Sequence, residues 1–220
     1  MQISNANGSD FKVVSDFLLQ NHDKAYKAPK KAKNAEEKME MEYLYKAGKN
    51  SKSIFSEKMD LLAAENGLYV VINKSFLDGS LKRIRNYYWG QLKLPEYYFY
   101  PESISVFCEV IDNEDVRFRV SLEINEKKAD EKDIEVFLRA LDKPLKKELC
   151  YIGNLKFNRS LTLLSLNKNE IKEKLSKGVY NKVQVTYLIK KYKNDEDLLK
   201  ELNKGIRLLL PYYKYILSLA

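Results

Sequence analysis

Apolar positions change their period part-way along the chain, and that change divides it into a helical beginning and a β-rich remainder. Phe11, Val14, Phe17 and Leu18 recur at helical spacing behind Ser9 or Asp10, either of which can cap a short amphipathic helix. Residues 21–33 carry Pro29 and five lysines with little to bury, which predicts a mobile connection. Two further helices are expected, Glu36–Ala47 with Met39, Tyr43 and Leu44 inward, and Ser53–Glu65 with Phe55, Met59 and Leu62 inward. Asn66 and Gly67 supply the stop.

From Leu68 to Ile72 the residues are mostly β-branched, and strands are expected from there on. The clearest is a hairpin over Ser103–Ile124. Ile104, Val106, Cys108 and Val110 alternate along its first arm and Val116, Phe118, Val120, Leu122 and Ile124 along its second, with an acidic turn between them. Arg117, Arg119, Ser121 and Glu123 then face the other way. Asp130–Leu141 reads as a helix with Ile134, Phe137, Leu138 and Leu141 inward, ending before Pro144. A strand over Leu155–Leu166, a short helix over Asn167–Leu175 and a strand over Lys182–Tyr192 follow, the last with Val183, Val185, Tyr187 and Ile189 on one side. Asp195–Leu219 begins with an acidic first turn and lines up Leu198, Leu202, Ile206 and Leu209, with Pro211 expected to kink or split it.

The predicted fold is α/β in the broad sense (α+β), a mainly antiparallel curved sheet packed by helices. Residues 1–66 form a helical N-terminal extension to an α/β nucleic-acid-binding domain over 67–220.

Composition adds a direction. The chain has 39 Lys and Arg against 31 Asp and Glu, a formal charge of +8, which favours polyanions, although lysine-rich composition alone can raise charge. Its 16 Tyr and nine Phe suit wet, specific interfaces. Two well-separated cysteines, Cys108 and Cys150, fit buried thiols in a reducing cytoplasm. No run is long enough for a membrane span or an export signal, so a cytoplasmic protein with no membrane partner is expected.

Both trends concentrate between Lys82 and Tyr100, KRIRNYYWGQLKLPEYYFY, where cations alternate with rings. Cations hold phosphates and flat rings hold bases, so the stretch points to nucleic acid. A buried-core role for the same rings is about equally consistent with composition. Trp89, the single tryptophan, and Tyr88 before it are candidate nucleic-acid contacts, and Gly90 beside them would let a ligand approach the backbone closely. Arg83, Arg85 and Lys93 are the candidate phosphate contacts.

Catalytic chemistry is sparse. The sole histidine, His22, follows the first helix beside the lysine-rich connection, a poor foundation for a nucleophilic triad or a histidine metal site. Neither a phosphate-binding GxxxxGK[ST] loop nor GxGxxG occurs. Glu102, Glu109 and Glu123 loosely imitate the carboxylates of magnesium-dependent restriction-type nucleases, an alternative to a binding role. A protein-interaction module or inhibitor is a third possibility. No cofactor is expected.

In order along the chain, Trp89-Gly90-Gln91-Leu92 with Leu94-Pro95 and Tyr97-Tyr98-Phe99, then the Ile104–Ile124 hairpin, then Gly178-Val179-Tyr180 and the closing Tyr213-Lys214-Tyr215-Ile216, resemble the N-terminal DNA-binding module of McrB-type modification-dependent restriction GTPases. The resemblance covers about residues 85–220 and leaves the first 66 unmatched. It implies a protein that reads a modified cytosine in double-stranded DNA by flipping it into an aromatic pocket, stacking offsetting the cost of flipping. A GTPase motor and a nuclease subunit would act elsewhere in the defence system. Position by position, the pocket aromatics fall on Trp89 and on Tyr97, or on Glu96 without a gap. The apolar strand residue falls on Cys108, and a family tyrosine falls on Gln184, with Tyr180 and Tyr187 nearby. Cysteine and glutamine at those two positions depart from the family pattern and leave open which base is read.

Overall fold

A computed structural model describes residues 10–79, 81–112, 114–124, 131–139, 142–155, 161–164 and 168–219. The helix expected first is α1, Asp10–Asn21, with Phe11, Val14, Phe17 and Leu18 all buried; Ser9 lies outside the described residues. The next two expected helices are one, α2, Ala35–Asn66, 32 residues long. Asn34 caps its start by accepting from the Glu37 amide, and Gly67 ends it in the left-handed conformation at φ 62°. Gly48 and the serines after it read as a break, yet Gly48 is there because the Phe76 ring lies 2.5 Å from where a Cβ would stand. Continuity also sets the face. Met41 and Leu44 are buried, whereas Met39 (65 % exposed) and Tyr43 (58 %) point to solvent, contrary to expectation.

Among the described residues there are seven strands, β1 (Tyr69–Ile72), β2 (Tyr87–Lys93), β3 (Glu102–Ile111), β4 (Asp115–Ile124), β5 (Cys150–Leu155), β6 (Leu161–Leu164) and β7 (Tyr180–Leu188). They form one curved antiparallel sheet in the order β1-β2-β3-β4-β7-β5-β6, and the architecture is α+β. The β3–β4 hairpin has the expected register, with Cys108 opposite Phe118 and Glu109 opposite Arg117. β5 was not anticipated, and the strand expected over Leu155–Leu166 is realised as β6, with 156–160 and 165–167 outside the described residues. α3 (Glu131–Arg139) buries Val136 and Phe137 and leaves Ile134 exposed, a rotation from the expected face; Asp130 and Leu141 lie outside the described residues. α4 is Lys168–Ser176. α5, Asp195–Leu217, runs through Pro211 without splitting.

Helices α1, α2 and α5 cover the same face of the sheet. Phe11 meets Phe118 edge-on at 5.3 Å, Met59 of α2 lies 2.7 Å from the position of a Cβ on Gly90, and Gly205 brings α5 against Val120 and Tyr187. Buried residues of all three helices and of the strands belong to one continuous apolar core. The connection after α1 has definite contacts. Ala25 bridges to Arg83, Tyr26 stacks on Tyr45 at 6.4 Å, and the Tyr26 amide donates to the Lys82 carbonyl.

Candidate nucleic-acid interface

Because side chains alternate across a strand, the pleat decides which residues of β2 can meet a ligand. Tyr88, expected at the ligand, instead turns toward the helices, where it is fully buried and its hydroxyl shares a hydrogen bond with Ser51 Oγ at 3.0 Å. Burial pushes its phenol well above the ordinary tyrosine range. Gly90, on the same side, admits the Met59 side chain of α2 rather than a ligand. Tyr87, Trp89 and Gln91 turn the opposite way and remain half-exposed.

Around Trp89 the geometry is defined. The Arg85 guanidinium lies over its ring, 5.6 Å from the centroid, and the Tyr87 ring is 5.6 Å away at an interplanar angle of 48°. Arg85 is itself anchored, its Nε donating to the Leu77 carbonyl at 3.0 Å. The segment before it is braced by Ala25–Arg83 and Leu77–Ile84 bridges and by Ile84 N donating to the Lys24 carbonyl. Arg83 and Lys82 stand exposed on this ribbon. A guanidinium stacked on a half-open indole offers an anion contact and a ring face together.

At the other end of β2, Pro95 starts a 3-10 turn over Pro95–Tyr97. Tyr97 and Tyr100 meet edge-on at 5.2 Å, as do Tyr98 and Phe99. Lys93 was expected at a phosphate; it is buried, and its Nζ donates to the Tyr100 carbonyl. Phe99, at 87 % exposure, leads the aromatic tip of this turn.

Across the same face runs a buried polar network. Arg119, 2 % exposed, lies over the Phe107 ring with its guanidinium carbon 3.7 Å from the centroid. Its Nε donates to Glu109 at 2.8 Å, and Nη1 donates to Ser121 and to Gln184 Oε1. Arg117 donates to the same Glu109 at 2.7 Å. Gln184 in turn donates to Glu123, which also accepts from Ser105 and pairs with Lys182 at 2.6 Å. Both ends of the Gln184 amide are therefore occupied by protein partners.

The pocket set implied by the resemblance does not converge. Trp89 and Gln184 belong to one face of the sheet, with Gln184 inside the network. Cys108, Tyr180 and Tyr187 belong to the helix-covered face. Cys108 is fully buried beneath Ser15, and burial raises its thiol far above the usual range. Tyr187 is buried under α5, with its hydroxyl on Glu201, and burial followed by that hydrogen bond raises its phenol. Tyr180 covers Gly153. Tyr97 is half-buried in the turn after β2.

The three carboxylates weighed for magnesium are also divided. Glu102 pairs with Ile124 and shares its face, whereas Glu123 and Glu109 lie opposite and are held by cations. Among the described residues, no group of three His, Cys, Asp or Glu side chains is placed to hold a metal ion. His22 directs Nδ1 at the Leu18 and Leu19 carbonyls, 3.0 and 3.1 Å away. Cys150 and Cys108 are both free thiols. Among the described residues no helix is long and apolar enough to cross a membrane.

Two features escaped the sequence reading. One is the Arg119 network; its signal was Arg117 and Arg119 on the second face of the hairpin, opposite Glu109. The other is Lys52, buried on α2, whose signal is the stripe Leu44, Gly48, Lys52, Phe55, Met59 and Leu62, spaced so that position 52 must face inward. No protein-family model, curated protein or solved structure matches the chain.

Proposed function

We propose that this protein binds DNA through the exposed side of β2 and its flanking segments, with Trp89 and Tyr87 stacking against bases and Arg85 and Arg83 meeting phosphate. The observation that carries the reading is the Arg85 guanidinium held over the half-open Trp89 ring on the face turned away from α1, α2 and α5. A net charge of +8 supports a polyanion as the ligand. In this reading a base stacks on the open indole rather than entering a pocket walled by Cys108 and Gln184. The resemblance to McrB-type modules supports a place in a restriction or defence assembly, with motor and nuclease supplied by other proteins and a modified base as the target.

The test is a titration of wild type, Trp89→Ala and Arg83→Ala on plain, methylated and hydroxymethylated duplexes and on single strands over a salt series. Loss of the indole should weaken binding by about 1–3 kcal/mol and reduce discrimination among bases. Loss of Arg83 should weaken binding to all sequences and lower the salt slope by about one. Circular dichroism must show both variants folded. Unchanged affinity in both ends the proposal. A second reading rests on Phe99, whose exposure at a braced aromatic turn also suits a protein interface. That alternative gains if wild type ignores DNA at physiological salt.

A further inference from the structure

Lys52 is 4 % exposed, with its ammonium 4.5 Å from the centroid of Tyr88 and 4.8 Å from that of Phe55. Among the described residues its Nζ has neither an ion pair nor a hydrogen bond. The described groups around it offer no anion. Tyr88 on β2 is a phenol bonded to Ser51, Cys108 on β3 is a neutral thiol, and Arg85 before β2 is a second cation. On α1, Asp10 and Asp16 are engaged at the surface with Lys58 and Lys12. On α2, Glu37 and Glu57 are tied to Lys27 and Ser53. Burial first, and then the Arg85 charge, bring the amine down to about 7.

Lys52 and the open Trp89 thus lie on opposite sides of β2. Tyr88, beneath the ammonium, is the residue directly before Trp89, and Arg85 acts on both. We propose that docking of nucleic acid at Arg85 and Trp89 draws a proton from solvent onto Lys52, so that the ligand is held more tightly in mildly acidic than in mildly alkaline solution. A phosphate beside Arg85 cancels the repulsion that its guanidinium exerts on Lys52, so the protonated amine costs less in the complex than in the free protein. By linkage, the state that binds more protons is favoured as pH falls. The inference rests on the nucleic-acid reading and adds its regulation.

The experiment measures affinity of wild type and Lys52→Met for a plain duplex oligonucleotide from about pH 6 to about pH 9 at fixed ionic strength. In parallel, the Lys52 Cε resonance is followed against pH with and without the oligonucleotide. Wild-type affinity should fall across the range, by up to about tenfold for each unit by which binding raises the amine's pKa. Lys52→Met should show a clearly shallower dependence than wild type. Identical pH profiles for the two proteins, or a Cε midpoint that the oligonucleotide does not move, overturn the coupling while leaving the binding proposal intact. Should Lys52→Met fail to fold, the Cε midpoints alone decide. Absence of binding by wild type at every pH overturns the nucleic-acid reading and the coupling together.

Discussion

Arg119 and Lys52 are both buried cations under the same sheet, on opposite faces, and they are solvated in opposite ways. Arg119 has Glu109, Ser121 and Gln184 as acceptors and Phe107 as a floor. Lys52 has two aromatic faces and, among the described residues, no carboxylate. The interior tolerates the first because fixed acceptors replace water, and it tolerates the second only by making deprotonation easy. A fully answered charge organises structure, and an unanswered one remains free to titrate.

The sharpest way to break that comparison is to remove the answered cation. Arg119→Ala leaves Glu109 with Arg117 alone and takes the donor from Gln184 Oε1, and should cost about 3–5 kcal/mol in chemical denaturation; a loss below about 1 kcal/mol would mean that the network is ornamental to stability. Next, Lys52→Met should act with the opposite sign. Its folded-state pKa near 7 lies below the unfolded value, so the unfolded chain binds the extra proton between those two values and wild-type stability rises with pH through that window. The gain should be on the order of a few kcal/mol, and its absence in wild-type melts taken at rising pH would refute the displacement. Lys52→Met should lack that gain and equal or exceed wild type near neutrality. The smallest effect is expected of Tyr88→Phe, which leaves Ser51 Oγ with only its bond to the Gly48 carbonyl, at a cost of about 1 kcal/mol. That change should leave DNA affinity untouched, since Tyr88 faces the helices; a large loss of binding would place the ligand on the wrong side of β2.

The hairpin β3–β4 was legible because one arm's alternation repeats in the other and an acidic turn joins them. β2 was not, because Tyr87, Tyr88 and Trp89 put rings on both faces and mask the alternation that separates a sealed side chain from an open one. The continuous α2 was hidden by Gly48, whose role is to seat Phe76. Trp89 and Arg85 could be picked out by residue type, but their stacking depends on a bridge between Leu77 and Ile84 and a carbonyl of Leu77. Lys93, of the same type, was drawn inward by the Tyr100 carbonyl. Cys108, Tyr180 and Tyr187 were assigned to a pocket by sequence order alone, and order does not specify the pleat.

The rim strand β1 is four residues long, against ten for β3 and β4 at the centre of the sheet. A margin this short leaves few open backbone donors and acceptors along that rim, so another chain finds little to zip onto there. For a protein rich in tyrosine and phenylalanine, that geometry is a safeguard against fibril growth.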